Sequence, residues 1–140
     1  ATYPEDKPVP AYFRVDTVAV ENDSISDFYL SGVAGGQLQA GIRRYPSMAL
    51  GMEALAAGEV DAAMGPRGQL EWGLRDGLDL HEPPLAGLAR GRWTLGVALH
   101  FAYRPLGYMV DDAIRDGLSS GRIEAIYSSY GMTHVAPQLR

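Results

Sequence analysis

Apolar and polar positions change period several times along this chain, and each change marks an element. TVAV, Thr17 to Val20, has the short β-branched character of a strand. Asp23 or Ser24 stands where a helix N-cap belongs, ahead of SDFYLSGV, and Gly35-Gly36 breaks that helix. QLQAGIRRY alternates and predicts a second strand. Pro46-Ser47 opens a helix over Met48 to Ala57, with Met48, Leu50, Met52 and Leu55 as its apolar face and Gly58 as its left-handed stop. VDAAMG reads as a buried strand of small residues. GPRGQLEWGLRDG reads as a helix weakened by Gly68 and Gly73, and LDLHEPP as a short strand closed by two prolines.

WTLGVALHF is long and apolar, which predicts a strand that is central or crosses between layers. In PLGYMVDDAIRDGLSSG, Leu106, Met109, Val110, Ala113, Ile114 and Leu118 recur at helical spacing. A further helix runs from Arg122 to Tyr130 and stops at Gly131, leaving THVAPQLR as loop. Residues 1–16 begin with Pro4, Pro8 and Pro10 and predict an extended arm. Residues 17–140 then alternate strands with single helices. That order predicts one α/β domain with a mostly parallel sheet flanked by helices, whose ligands would sit at the carboxyl ends of the strands.

Composition narrows the function classes. A chain of 140 residues that is 46% hydrophobic can bury a core without disulfides or metals. The net charge of −5, with no basic cluster beyond Arg43-Arg44, argues against nucleic acid and anionic membranes as partners. The absence of cysteine excludes disulfides, thiolate metal sites and a thiol nucleophile. No apolar run reaches the roughly 18–20 residues that cross a bilayer. The polar, proline-rich start at Ala1 suits the mature end of an exported precursor.

No catalytic motif stands out. Glu59 and Asp61 are paired acids at a turn, read as a solvent-facing Glu59 and an Asp61 that orients the turn. His81, His100 and His134 are scattered and lack metal-ligand spacing, so no metal and no cofactor are expected. His100 ends the apolar WTLGVALHF run and is a candidate for lining a cleft. Ser24 and Ser26, in the turn ENDSISD, stand where free backbone N–H groups can receive a carboxylate or phosphate. Gly65 and Arg67 lie just past the VDAAMG strand, where a guanidinium can fork onto a carboxylate. Ser128-Ser129 has no nucleophile elbow around it, and GVAGGQ lacks the lysine of a phosphate loop.

Three segments, taken in order, resemble bacterial extracellular solute-binding proteins of the amino-acid-binding type, family 3. They are VENDSISDFYL, RRYPSMALGMEALAAGEVDAAMG and LGVALHFAYRPLGYMVDDAIRDGLSSGRIEAIYSSYGM. The resemblance spans roughly Thr17 to Pro137 and covers the second lobe and the closing helices of the periplasmic-binding fold. It implies a periplasmic, non-catalytic module that binds a small molecule and feeds an ABC transporter. Ser24, Ser26, Gly65, Arg67 and His100 would then be ligand-binding. The family also includes members tied to periplasmic quinoprotein dehydrogenases. Two departures point elsewhere. No segment corresponds to lobe one, and MGPRGQ places Arg67 where amino-acid binders usually hold an acid. Those departures imply an accessory subunit that meets another periplasmic protein inside a larger assembly.

Overall fold

The computed structural model describes residues 9–88 and 91–137. The chain falls into two compact units, divided between Gly91 and Arg92. The fold is α/β.

The first unit is built on three parallel strands: β1 (Val18–Glu21), β2 (Ile42–Tyr45) and β3 (Ala62–Ala63), in the order β2-β1-β3. Val18 pairs with Ile42 on one side and Ala62 on the other. The central position of β1 explains why Val18, Ala19 and Val20 are all buried, as expected of a strand covered on both faces. The helices of this unit are α1 (Val9–Tyr12), α2 (Ile25–Gly32), α3 (Met48–Ala56) and α4 (Arg67–Gly73).

The core lies on both sides of the sheet. One cluster gathers Val9, Val18, Val20, Leu30, Leu38 and Ile42. The other joins Ala19, Ala54 and Val60, with Tyr45 and Leu55 against them. Small residues permit the close approach of α3. A Cβ on Gly51 would lie 3.3 Å from that of Ala19, and one on Gly73 would lie 2.7 Å from Met52 Cγ. Gly73, read from sequence as a weakness of α4, is therefore the point where that helix meets α3.

Several boundaries differ from the sequence reading. Val9–Tyr12 forms a helical turn with Val9 buried, not an extended arm; proline is tolerated in a first helical turn, and residues 1–8 lie outside the described ones. QLQAGIRRY is strand only from Ile42, because Gln39–Gly41 turns as a 3-10 helix. VDAAMG pairs only at Ala62–Ala63, since Val60 and Asp61 still belong to the turn. LDLHEPP is not a strand. Pro83 and Pro84 offer no N–H, and Leu85 docks on the core instead. Leu50 faces solvent, because the buried face of α3 runs through Met48, Gly51, Met52 and Ala54, with Leu55 partly buried beside them.

The second unit contains α5 (Leu106–Ser119) and α6 (Arg122–Ser129), joined through Gly121 at φ 73°. They meet where Gly117 lies against Ile123; a Cβ there would stand 3.1 Å from its side chain. WTLGVALHF was expected to be the strongest strand. Arg92–His100 runs without turn, bend or helix, but pairs with no strand among the described residues. A strand assignment requires a partner ladder, and none of the described strands supplies one here.

Candidate functional site

The carboxyl ends of the strands bring together the turn after Glu21, the Tyr45-Pro46-Ser47 corner and the Met64-Gly65-Pro66 bend. Alongside the seven-residue α4, two longer helices, α2 and α3, begin at this edge. Their first N–H groups would attract an anion if they were free.

They are not free. Ser24 caps α2 by accepting from the Asp27 N–H at 3.2 Å. The Asp27 carboxylate turns back to accept from the Asp23 N–H at 3.2 Å. This is a variant of the capping box: the acid stands three residues after the serine but accepts from the residue before the cap, while the Ser24 N–H donates to the Glu21 carbonyl. At α3, Ser47 accepts from the Leu50 N–H, and the Glu21 carboxylate accepts from the Met48 N–H at 3.1 Å. The protein's own acids thus fill the anion positions of both helices.

Asp27 is the electrostatic centre of this edge. It is buried, yet Arg44 on β2 donates from Nε to Oδ1 and Oδ2 at 3.0 and 2.9 Å. Ser31 donates to Oδ1 at 3.1 Å and in turn accepts from Arg44 Nη2 at 3.0 Å. Burial pushes the Asp27 carboxyl toward protonation. The hydrogen bonds from Arg44, Asp23 and Ser31, with the Arg44 charge, outweigh burial and hold it below the usual carboxylate range.

Of the five predicted ligand residues, Ser24, Ser26, Gly65 and Arg67 lie in the first unit and His100 in the second. Ser24 is engaged as a cap, and Ser26 is buried inside α2's packing face. At Gly65 the place of a side chain is taken by Met48, whose Sδ would lie 2.5 Å from an added Cβ. Arg67 donates from Nε to Glu71 at 2.8 Å and from Nη1 to Glu82. Those two carboxylates raise its already high pKa. His100 belongs to the second unit, where it accepts from the Ala102 N–H at 3.3 Å and stacks 4.4 Å from Phe101.

The paired acids resolve in the same manner. Gly58 takes φ 74° to end α3, and Glu59 faces solvent. The Asp61 carboxylate accepts from the Thr17 N–H at 2.8 Å and the Thr17 hydroxyl at 2.7 Å. Those bonds lower its pKa and tie the start of β3 to the start of β1. Asp61 is a staple between strands.

The described residues hold no cluster of three or more metal-ligating side chains. A depression of about 230 Å3 lies at the opposite end of the strands, between Arg14–Thr17 and Gln37–Gly41. A groove of about 100 Å3 lies between α3 and α4, beside Met52, Glu53, Trp72 and Arg75. Both ring nitrogens of His81 are shielded and lack a partner among the described residues.

Reasoning from sequence missed the Asp27–Arg44 pair and the Glu82 partner of Arg67. The Ser24-to-Asp27 spacing was a legible signal for the first, and nothing local announced the second. No family model, curated protein or solved structure matches the chain. Among the described residues no helix is long and apolar enough to cross a membrane.

Proposed function

We propose that this chain is a non-catalytic, periplasmic α/β module, related in design to solute-binding proteins, that works by contact with protein rather than by holding a metabolite. One observation carries this reading. The groups a cleft at the strand ends would offer to an anionic ligand are already engaged within the chain: Ser24 by Asp27, the α3 N-terminus by Glu21, and Arg67 by Glu71 and Glu82. A carboxylate ligand would have to displace these partners before gaining any bond of its own. Small-molecule capture for an ABC transporter is the second reading. It is favoured by the parallel sheet, whose carboxyl edge is the usual place for ligands in such folds.

A thermal-shift screen over amino acids, organic acids, sugars and polyamines separates the two. Capture by a specific site predicts stabilisation of about 3–4 kcal/mol at concentrations a hundred to a thousand times the dissociation constant. The protein-contact reading predicts no shift with any of them. One metabolite that stabilises the chain, and loses its effect in Arg67→Ala, overturns it.

A further inference from the structure

The extended segment that opens the second unit has an unusual symmetry. Its odd positions read Trp93, Leu95, Val97 and Leu99, and it ends at His100, where a 3-10 turn over Phe101–Tyr103 begins. All four are exposed, at 50%, 84%, 62% and 41%. The even positions, Thr94, Gly96, Ala98 and His100, are exposed as well. From Arg92 to Leu99 no backbone N–H or C=O has a hydrogen-bond partner among the described residues. An unpaired, uncharged strand of this kind is a template for another strand.

We propose that this segment pairs antiparallel with the same segment of a second copy, about a two-fold axis through Val97. This rests on the protein-contact reading above and names its partner. The pattern is self-complementary, which an isologous contact requires. In that register Val97 faces Val97 and Leu95 faces Leu99. On the other face Gly96 meets Ala98 and Thr94 meets His100, where the ladder ends because Phe101–Tyr103 turns as a 3-10 helix. Branched aliphatic cross-strand pairs of this type stabilise a ladder. No charged residue lies between Arg92 and Arg104, so no like charges meet within the paired stretch.

The side-chain area is modest. With the aromatic at about 150–250 Å2 and the aliphatics somewhat less, the exposed parts of the four odd residues come to roughly 450 Å2 per copy, against about 800 Å2 per partner in a stable interface, so the backbone ladder has to contribute much of the contact. The exposed even residues and the start of α5, where Gly107 approaches Leu99, extend the surface further.

The chain contains no cysteine, so single cysteines report the register directly. Facing Cα atoms in an antiparallel pair are about 4.5–5.5 Å apart, within reach of a disulfide, whereas positions two residues off the axis lie too far from their own copies. Under mild oxidation of the full chain, Val97→Cys should form a covalent dimer at least tenfold faster than Leu95→Cys or the solvent-facing control Glu59→Cys. A mixture of Leu95→Cys with Leu99→Cys should cross-link into a mixed dimer. Sedimentation of the unmodified chain should show a dimer, and Val97→Lys, which sets two ammonium groups face to face, should return it to monomer. A monomer at tens of micromolar, or Val97→Cys cross-linking no faster than Glu59→Cys, overturns the dimer. If no metabolite then shifts the melting temperature, the protein-contact reading survives the loss of the dimer; if one does, that reading falls as well.

Discussion

The two units treat their surfaces in opposite ways. In the first, the charges at the carboxyl edge of the sheet are matched within the chain, and the apolar side chains of the sheet are buried. In the second, Gly117 is the sole buried residue among those described, and Leu95, Phe101, Tyr108 and Met109 face solvent. The first unit therefore has a covered core and matched charges at that edge, though it still exposes Phe28 and Trp72 and leaves the His81 ring without a partner among the described residues. The second unit exposes most of its large apolar side chains. Exposed apolar surface of that extent is an ordinary mark of a protein contact.

The largest test of this contrast compares two deletions of the same kind of mass. Leu30 on α2 is fully buried against β1, so Leu30→Ala should cost about 2–5 kcal/mol in denaturant unfolding. Ile126 on α6 is half exposed, and Ile126→Ala should cost no more than about 1 kcal/mol. Equal costs would break the contrast, because they would mean that α6 has a covered core of its own.

Next in size is the charge at the closed edge. Arg44→Ala leaves the Asp27 carboxylate buried with only Asp23 and Ser31 as donors, and should destabilise by about 1–3 kcal/mol. The pH dependence follows from the direction of the shift. Asp27 has its carboxyl held low in the folded protein. Its contribution is fully present above the unfolded carboxylate value of about 3.9 and is lost as the pH falls through the lower folded value. Without Arg44 the burial that favours protonation is less opposed. The folded pKa then rises, and this acid-induced loss shrinks. Melting temperatures between pH 7 and pH 3, in both proteins, measure the difference.

These results also show what was legible. The order from β1 to α4 was, because those helices and strands carry their own period or stop, such as Gly58 at φ 74°, whereas the helical turn Val9–Tyr12 and the unpaired LDLHEPP were not. The parallel sheet followed from that order. The site was not legible. Whether Ser24 or Arg67 is free depends on Asp27, Glu71 and Glu82, and Glu82 arrives from the segment after α4. WTLGVALHF shows a different limit. Its apolarity announces a strand, but a strand exists only when another lies beside it, and apolarity does not say which chain supplies the neighbour. In α5 likewise, the spacing of Leu106, Met109 and Ile114 marks a face without saying what covers it.

The smallest expected effect sharpens the contrast most cleanly, because the same methyl group is added to both units. At Gly65 it meets Met48, with Sδ at 2.5 Å and Cγ at 3.2 Å, and Met48 is itself buried. The thioether has to rotate into an already filled core, so Gly65→Ala should cost about 1 kcal/mol, the low end for overpacking because methionine adapts. At Gly96 the methyl meets nothing within 4 Å, and the backbone there is not left-handed. Gly96→Ala should move the unfolding free energy by less than about 0.5 kcal/mol, toward stability, since alanine restricts the unfolded chain. Denaturant titrations at submicromolar protein keep self-association out of the comparison. If Gly96→Ala costs as much there as Gly65→Ala, the segment is already covered within a single chain, and it is not the open surface that a second copy would need.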